Sequence, residues 1–211
     1  YYAHHLSTIE GGMICTNDTE FYEACRMLRA HGMVREMDSS SGRHEIADDH
    51  PDLNPDFIFA HAGFNCRSTE INAVMGRSQL KRLDANIRQR TANLRTFLDH
   101  LDPEAYYTDF DTEGSSNYAF TLVLKRNDPR LAERIMRRLR EEGVEFRRGL
   151  SGGGNQVRQP YLKEVVDAQA WKEFPNADHV HFNGWYIGNY PALERGRIVW
   201  LCDLLNNLAS E

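Results

Sequence analysis

The sequence predicts a mixed α/β protein in which a long helix joins two parts. Two observations support this prediction. Apolar residues recur at helical spacing from Ser68 to Leu101, a stretch of roughly 50 Å if it forms one unbroken helix. After it, strand-like and helix-like segments alternate to the end of the chain, which is typical of a domain with a sheet covered by helices.

The residues before the long helix predict one strand, one helix and a long polar stretch. Met13 to Thr16 is predicted as a short strand. Asp18 is an N-cap candidate for a helix over residues 19–31, which Gly32 ends. Residues 33–55 are polar and irregular, so we expect a loop there. Such a loop is either functional or a mobile surface excursion.

The residues after the long helix predict a compact α+β unit. Asp128-Pro129 supplies an N-cap and a first-turn proline for a helix that ends near Gly143. The order is strand, helix, strand, long glycine-rich connection, strand, helix. The predicted bounds are 118–125, 129–143, 144–147, 152–161, 180–188 and 192–208.

Composition excludes several functional classes. The formal net charge of −6 argues against a general nucleic-acid binder. The four cysteines are scattered without C-x-x-C spacing, which favours reduced thiols over disulfides, a zinc site or an iron–sulfur cluster. No apolar run has the length of a membrane helix and no signal peptide is visible. We therefore expect a cytoplasmic protein that does not bind membranes.

One histidine pair has the spacing of metal ligands. His179-x-His181 would place two imidazoles on one face of the predicted strand. No third ligand has a recognisable spacing, however, so we predict no metal site.

The segment His4-His5-Leu6-Ser7-Thr8-Ile9-Glu10-Gly11-Gly12 resembles the cofactor segment of the DegT/DnrJ/EryC1/StrS sugar aminotransferases. These enzymes use pyridoxal 5'-phosphate (PLP), which a lysine of this segment binds as a Schiff base. His4 stands at the lysine position, and a histidine there marks the 4-keto-6-deoxysugar 3-dehydratase branch. That branch carries a His-His pair, so His5 is expected to pack beside His4 or to orient it. Ile9 stands where the family usually has a glycine.

The segment Gly63-Phe64-Asn65-Cys66-Arg67 is similar to a second motif of the family, which precedes its longest helix. The resemblance implies that Asn65 contacts the cofactor phosphate of the neighbouring subunit in a homodimer with a shared active site. It implies that Arg67 binds the carboxylate of an amino-acid co-substrate or the sugar. The alternative is that Asn65 and Ser68 only shape a turn and cap the helix.

The glycine-rich connection lacks the spacing of a P-loop or a Rossmann fingerprint. It resembles the family's run of Arg, Gly-Asn and Gln-Pro-Tyr, which lines the entrance for the sugar nucleotide. Arg148, Asn155 and Arg158 are therefore expected to hold the diphosphate or the sugar hydroxyls, because guanidinium groups suit phosphate oxygens. A flexible surface loop is the alternative.

The resemblance extends over nearly the whole chain and implies the C-terminal part of a PLP fold type I (aspartate-aminotransferase-like) enzyme. Residues 1–66 would end the cofactor-binding large domain, residues 67–101 would form the linking helix, and residues 102–211 would form the small domain. In the family, the phosphate loop and the partner of the pyridine nitrogen lie upstream of this part, so we expect either a longer protein or a missing half that comes from elsewhere.

The chemistry depends on what His4 can do. Imidazole cannot form the stable aldimine that an aminotransferase needs, but it can act as a general base near neutral pH. The resemblance then implies a dehydratase that uses pyridoxamine 5'-phosphate (PMP). It would remove the C3 hydroxyl of a nucleotide-linked 4-keto-6-deoxyhexose in dideoxysugar biosynthesis.

Glutamate is expected to regenerate PMP in such an enzyme, since the chain has no cysteine cluster for an iron–sulfur centre. Arg67 would then hold the carboxylate of the glutamate. Two alternatives stay open: a nucleotide-sugar aminotransferase, and a truncated scaffold that only dimerises.

Overall fold

The structure is a computed structural model that describes residues 5–211, with the backbone alone described for Ser151. The chain forms two compact units. One, the helical unit, is Thr8–Ser78; the other, the sheet unit, comprises the described residues up to Ser7 together with Gln79–Glu211.

The helical unit begins with an extended segment and helix α1 (Thr19–Leu28). The predicted N-cap is confirmed, since the Asp18 carboxylate accepts a hydrogen bond of 3.0 Å from the Phe21 amide. The predicted strand at residues 13–16 is wrong, because these residues are exposed and pair with no strand in the described chain. The predicted helix end at residue 31 is three residues too late.

The predicted loop at residues 33–55 is corrected by helix α2 (Ser40–Asp49). This helix was missed because its residues are polar and form no apolar stripe. Its N-terminus is stabilised from outside: the buried Glu23 carboxylate accepts hydrogen bonds of 2.9 Å from the amides of Asp38 and Ser39. Ser39 also caps the helix through the Gly42 amide.

The long helix α3 (Glu70–His100) confirms the prediction of one continuous helix. Its buried residues are confined to the C-terminal part, from Arg90 to Phe97. Residues up to Ser78 belong to the helical unit and those from Gln79 to the sheet unit.

The sheet unit confirms the predicted order of three strands and of the helices α4 and α6, but helix α5, which precedes the last strand, was not predicted. Asp128 caps α4 through the amides of Arg130 and Leu131, as predicted. The sheet is antiparallel with strand order β1-β3-β2. The elements are β1 (Ala119–Val123), α4 (Pro129–Glu141), β2 (Phe146–Arg148), α5 (Pro175–Asn183), β3 (Gly184–Gly188) and α6 (Arg195–Ser210).

One strand prediction in this unit is partly wrong. Residues 180–183, predicted as the start of a strand, form the last turn of α5, and only Gly184–Gly188 is β3. Helix α5 starts at Pro175, and proline favours the first helical turn. The apolar and aromatic residues around Phe182 have no period that separates a helix from a strand over so short a run.

The main core lies between one face of the sheet and helices α3, α4 and α6. Alternate strand residues, such as Phe120 and Leu122 on β1 and Trp185 and Ile187 on β3, point into it. The helical unit has a second, small core around Met27, Val34 and Ile58. Among the described residues, no helix is both long and apolar enough to cross a membrane.

Candidate functional site

The segment from His4 to Gly12, called the opening segment below, begins at the edge of the described chain. His4, the predicted general base, lies outside the described residues. The His5 ring nitrogen Nε2 contacts the carbonyl oxygen of Ser116 and lies 3.0 Å from its hydroxyl. The His5 ring also meets Tyr118 edge-on, with 6.5 Å between centroids. The contacts described for His5 are thus those of a packed, hydrogen-bonded residue.

The residues that follow are tied to helix α3. The Ser7 amide donates a hydrogen bond of 3.1 Å to Oε1 of Gln79, and the Thr8 carbonyl accepts one of 2.6 Å from Nδ2 of Asn72. A side chain on Gly76 would begin 3.1 Å from the Thr8 methyl group. The opening segment is therefore positioned by a helix more than sixty residues away in the sequence.

Ile9 adopts a backbone conformation that suits glycine. Its φ is +72°, in the left-handed region that β-branched residues rarely enter because Cβ approaches the following carbonyl. This observation gives a physical reason for the glycine that the family usually has at this position. The strain falls within the segment that carries His4, where functional sites often keep such conformations.

We expect Ile9→Gly to stabilise the protein by about 1 kcal/mol, since removing Cβ relieves a left-handed conformation that costs about 1–2 kcal/mol, less the entropy that glycine loses on folding. Urea unfolding measures the change. Ile14→Gly is the matched control, because Ile14 is also exposed but is not among the residues with positive φ. An Ile9→Gly variant less stable than wild type would contradict the expectation.

Asn65 lies on a rigid backbone with an exposed side chain. The residues on either side are held to the end of α1: the Phe64 amide donates to Leu28 (2.7 Å) and the Cys66 amide to Arg29 (2.8 Å). No hydrogen bond from the Asn65 side chain is found in the part of the chain that the structure describes. The side-chain amide of Asn65 is thus exposed and its N–H groups are available to a ligand such as a phosphate.

Two glycines make this arrangement possible. Gly32 has a φ of +82°, and a Cβ there would lie 1.9 Å from the His61 carbonyl oxygen. A Cβ on Gly63 would lie 2.2 Å from the Gly32 nitrogen. The two backbone segments therefore approach each other more closely than any side chain would allow.

Arg67 lies in the same unit, just before α3. One terminal nitrogen lies 3.2 Å from Oε1 of Glu36, and its side chain is 46% exposed. An exposed ion pair of this kind contributes about 0–1 kcal/mol. Because the pair is so weak, the guanidinium can exchange Glu36 for another carboxylate.

Asn155 and Arg158, predicted to bind the substrate, meet at Asp178 of helix α5. Arg158 binds the carboxylate through Nε and through Nη2, the latter at 2.9 Å from Oδ2. Asn155 is 2% exposed, and its Nδ2 lies 3.3 Å from Oδ1 of Asp178. The Asn155 amide also donates to Nδ1 of His181 at 3.2 Å.

Aromatic side chains complete this cluster. The Arg158 guanidinium lies 3.8 Å from the ring centroid of Trp171 and 5.1 Å from that of Phe182. Arg148, the third predicted substrate residue, lies 5.4 Å from the Phe182 centroid. We call the residues Arg148, Asn155, Arg158, Trp171, Asp178 and Phe182 the α5 cluster. The structure thus brings the three predicted residues of this unit to one place.

Asp178 of the cluster and His181, which contacts Asn155, have shifted pKa values. The hydrogen bonds from Arg158 are the largest influence on Asp178 and lower the pKa of its carboxyl. Burial, followed by the charges of Arg148 and Arg158, lowers the pKa of His181. At neutral pH the carboxylate is therefore charged and the imidazole neutral.

We expect Asp178→Asn to lower the free energy of unfolding at pH 7 by about 1.5–3 kcal/mol, the usual contribution of a hydrogen bond to a charged group. Because the folded pKa lies below the unfolded value of about 3.9, this contribution is present above that pH and lost as the pH falls through the folded pKa. Urea unfolding of both proteins between pH 7 and pH 3 measures it. A difference that does not shrink on acidification would contradict the assignment.

The histidine pair considered for metal binding lies on α5 rather than on a strand, which corrects the predicted placement. His179 Nε2 lies 2.6 Å from the Leu124 carbonyl, and His181 accepts from Asn155. Within residues 5–211 no three side chains of His, Cys, Asp or Glu are grouped as metal ligands.

Sequence reasoning missed Asp178, Trp171 and Phe182. Asp178 lies twenty residues from Arg158, and nothing in its local sequence distinguishes it from other surface carboxylates. The signal that was available is Pro175: a proline placed in a first helical turn would have made Asp178 a first-turn acid.

Comparison with known proteins identifies the family of the chain. The model of the DegT/DnrJ/EryC1/StrS aminotransferase family matches residues 1–205. Over 191 residues the chain is 28% identical to a GDP-4-keto-6-deoxy-D-mannose 3-dehydratase of Escherichia coli O55:H7, a match that covers 90% of this chain and 48% of that enzyme. The chain therefore spans about half the length of the relatives that it matches.

Two solved structures show the same fold. The E. coli GDP-4-keto-6-deoxy-D-mannose-3-dehydratase with bound hydrated PLP matches with a TM-score of 0.73 and 27% identity, covering 97% of this chain and 52% of that one. A GDP-4-keto-6-deoxymannose-3-dehydratase with a trapped PLP-glutamate geminal diamine gives 0.71 and 26%, covering 97% and 53%. The predicted fold class is confirmed.

Proposed function

Because the chain belongs to the DegT/DnrJ/EryC1/StrS aminotransferase family, we propose that its protein is a PLP/PMP-dependent dehydratase. The substrate is a nucleotide-linked 4-keto-6-deoxyhexose, which loses its C3 hydroxyl in the synthesis of a dideoxysugar. The names of its relatives support GDP-4-keto-6-deoxymannose as that substrate.

The observation that carries this proposal is the histidine at position 4. The family's aminotransferases need a lysine there, whereas the four lysines of this chain, Lys81, Lys125, Lys163 and Lys172, are all elsewhere and exposed. An imidazole titrates near neutral pH and so can both accept and return a proton. We assign His4 as the general base, and as the acid that protonates the departing C3 hydroxyl so that it leaves as water.

The donor groups of the helical unit fit the phosphate of the cofactor. The exposed Asn65 amide, on a backbone held at both sides, has the chemistry of a phosphate donor. When bound, PMP supplies the amine for the C4 ketone and the electrons that displace the C3 hydroxyl. The chain's own part is to hold the phosphate through Asn65 and to move protons through His4.

Arg67 is the proposed binding group for glutamate. Its exposed ion pair with Glu36 supports this assignment, because the guanidinium already meets a carboxylate there. A relative with a trapped PLP-glutamate adduct supports glutamate as the amino donor that restores PMP.

The sugar nucleotide is assigned to the α5 cluster and the glycine-rich connection beside it. Arg148, Asn155 and Arg158 are the proposed substrate residues. Of the three, Arg148 alone is exposed, so it is the residue that we place at the diphosphate.

We infer that the protein is a homodimer with a shared active site. Large exposed apolar side chains flank Asn65 in the sequence: Phe64 is 68% exposed, Ile71 69% and Val74 65%. A group of this kind favours an interface. Sedimentation velocity tests this inference.

All four cysteines are free, which supports the cytoplasm as the compartment.

The domain division is part of the same proposal. Residues 1–66 would end the cofactor-binding domain, residues 67–101 would link, and residues 102–211 would form the small domain. The antiparallel sheet and the helices that cover it support the last of these assignments.

The test is an assay of the full-length protein with PMP, glutamate and GDP-4-keto-6-deoxymannose. We expect the 3-deoxy product and release of ammonia. A 4-amino sugar, together with an absorbance band lost on borohydride treatment, would establish an aminotransferase instead. Neither product, and no change of PLP or PMP absorbance on titration with the protein, would leave a dimerising scaffold.

A further inference from the structure

We propose that Asp178 is a positioning residue: it holds the glycine-rich connection, which follows Arg148 at the end of β2, against helix α5 so that Arg148 meets the diphosphate of the sugar nucleotide. This inference rests on the proposed function for the identity of the ligand. The claim that Asp178 holds the connection does not depend on that ligand, because it is argued from the contacts of Asp178 with Asn155 and Arg158.

The connection needs contacts with other parts of the protein, because its glycine-rich backbone can adopt many conformations. Between Gly149 and Gly154 four glycines have positive φ values, a conformation that costs glycine little and therefore selects no single path. Gly154 packs directly on α5, since a Cβ there would lie 2.4 Å from Nδ1 of His181. The path of the connection is thus decided by what it contacts.

Asp178 makes the contacts that decide it. One carboxylate oxygen accepts from Nε of Arg158 and from Nδ2 of Asn155, and the other accepts from Nη2 of Arg158. A two-pronged guanidinium–carboxylate pair has a defined geometry as well as a favourable energy. Through it, two points of the connection are joined to one residue of a helix.

These contacts occupy Arg158 and Asn155. The Arg158 side chain is 25% exposed, and its guanidinium is both paired with Asp178 and stacked on Trp171 at 3.8 Å. Asn155 is 2% exposed. Both residues are thus largely occupied within the protein, and we assign them an indirect part in binding.

Arg148 differs from Arg158 and Asn155 in its exposure and in its pairing. Its side chain is exposed, and no ion pair of Arg148 is found among residues 5–211. Its guanidinium lies 5.4 Å from the ring centroid of Phe182. The Arg158 guanidinium lies 5.1 Å from the same centroid. Because Arg158 is neutralised by Asp178, the charge of Arg148 is the one left uncompensated at this ring.

The experiment measures the dissociation constants of GDP, CDP and UDP by titration calorimetry on the full-length protein. Arg148→Gln is expected to weaken the binding of the preferred nucleotide by about tenfold or more, because a charge-assisted hydrogen bond is lost. Asp178→Asn is expected to weaken it several-fold. If Asp178 acts through Arg148, the double variant binds no more weakly than Arg148→Gln alone.

Hydrogen exchange provides a second readout that needs no ligand. Asp178→Asn should speed exchange in peptides from residues 149–162, while Arg148→Gln should leave it unchanged. Glu164→Gln, which neutralises an exposed carboxylate just beyond the connection, is the matched control and should change neither readout. A loss of active protein alone would lower kcat without raising KM, whereas a displaced Arg148 raises KM.

Three outcomes would overturn the inference: tighter nucleotide binding by Asp178→Asn, additive effects in the double variant, or unchanged exchange at residues 149–162. Tighter binding would mean that Asp178 only neutralises Arg158. If wild type binds none of the three nucleotides, the proposed substrate and the role of Arg148 both fail. Faster exchange in Asp178→Asn would even then show the holding function by itself.

Discussion

Replacing His4 by alanine is expected to lower kcat for C3 dehydration by about 10²–10⁴-fold, the usual contribution of a positioned general acid or base. The physical reason is that no other group can replace it: the four lysines are exposed and distant in the sequence. The assay is release of ammonia and the 3-deoxy sugar by the full-length protein with PMP. The limb of the pH–rate profile that reports an imidazole should disappear with the side chain.

His5→Ala is the matched control for this experiment. The described contacts of His5 are with Ser116 and Tyr118, so its removal should affect packing more than proton transfer and reduce kcat far less. The absorbance of bound PMP should be the same in both variants, which separates loss of the base from loss of the cofactor. Full activity in His4→Ala would refute the assignment of the base.

Phe97→Ala is expected to lower the free energy of unfolding by about 3–5 kcal/mol, the range for truncating a buried phenylalanine. Phe97 is fully buried at the C-terminal half of α3. Its ring stacks on Phe120 of β1, with 4.6 Å between centroids and 9° between planes. The cavity would therefore open where the long helix meets the sheet, and calorimetry or urea unfolding would measure its cost.

Two further variants make this result specific. Phe97→Leu keeps most of the volume and should cost clearly less than the alanine variant. Val165→Ala, at a side chain that is 75% exposed, should change stability by no more than about 0.5 kcal/mol. Equal losses in Phe97→Ala and Val165→Ala would show that Phe97 does not pack as described.

Elements with strong local signals could be predicted from the sequence. Helix α4 has an N-cap and a first-turn proline, and α3 has apolar residues at helical spacing over its whole length. Helix α2 could not be predicted in this way, since its residues form no apolar stripe and Glu23 of another helix holds the amides of Asp38 and Ser39 that lead into it. The residues before Asp18 look like a strand by composition, but a strand needs a hydrogen-bonded neighbour that no local pattern reveals.

The candidate site, too, was predicted in part: the sequence identifies its residues, whereas the structure gives their exposure and their partners. The motifs around Asn65 and Arg148 were found from their order in the chain, and the His4 position from its spacing to Glu10-Gly11-Gly12. Which of these side chains is exposed and which is already paired depends on contacts between distant residues. Arg148 ends strand β2 and Arg158 lies in the connection that follows it, yet only Arg158 meets Asp178.

The sequence by itself determined the family, the long helix α3 with the three strands and the helices α4 and α6 that follow it, and the histidine at the lysine position. These depend on residue identity and short-range spacing, which are local properties of the chain. Only the tertiary structure decided that Ile9 has a positive φ, that Asp178 joins the glycine-rich connection to α5, and that Arg148 is left without an ion pair in the described chain. Each of these depends on groups that are far apart in sequence, or on a backbone angle that long-range packing imposes.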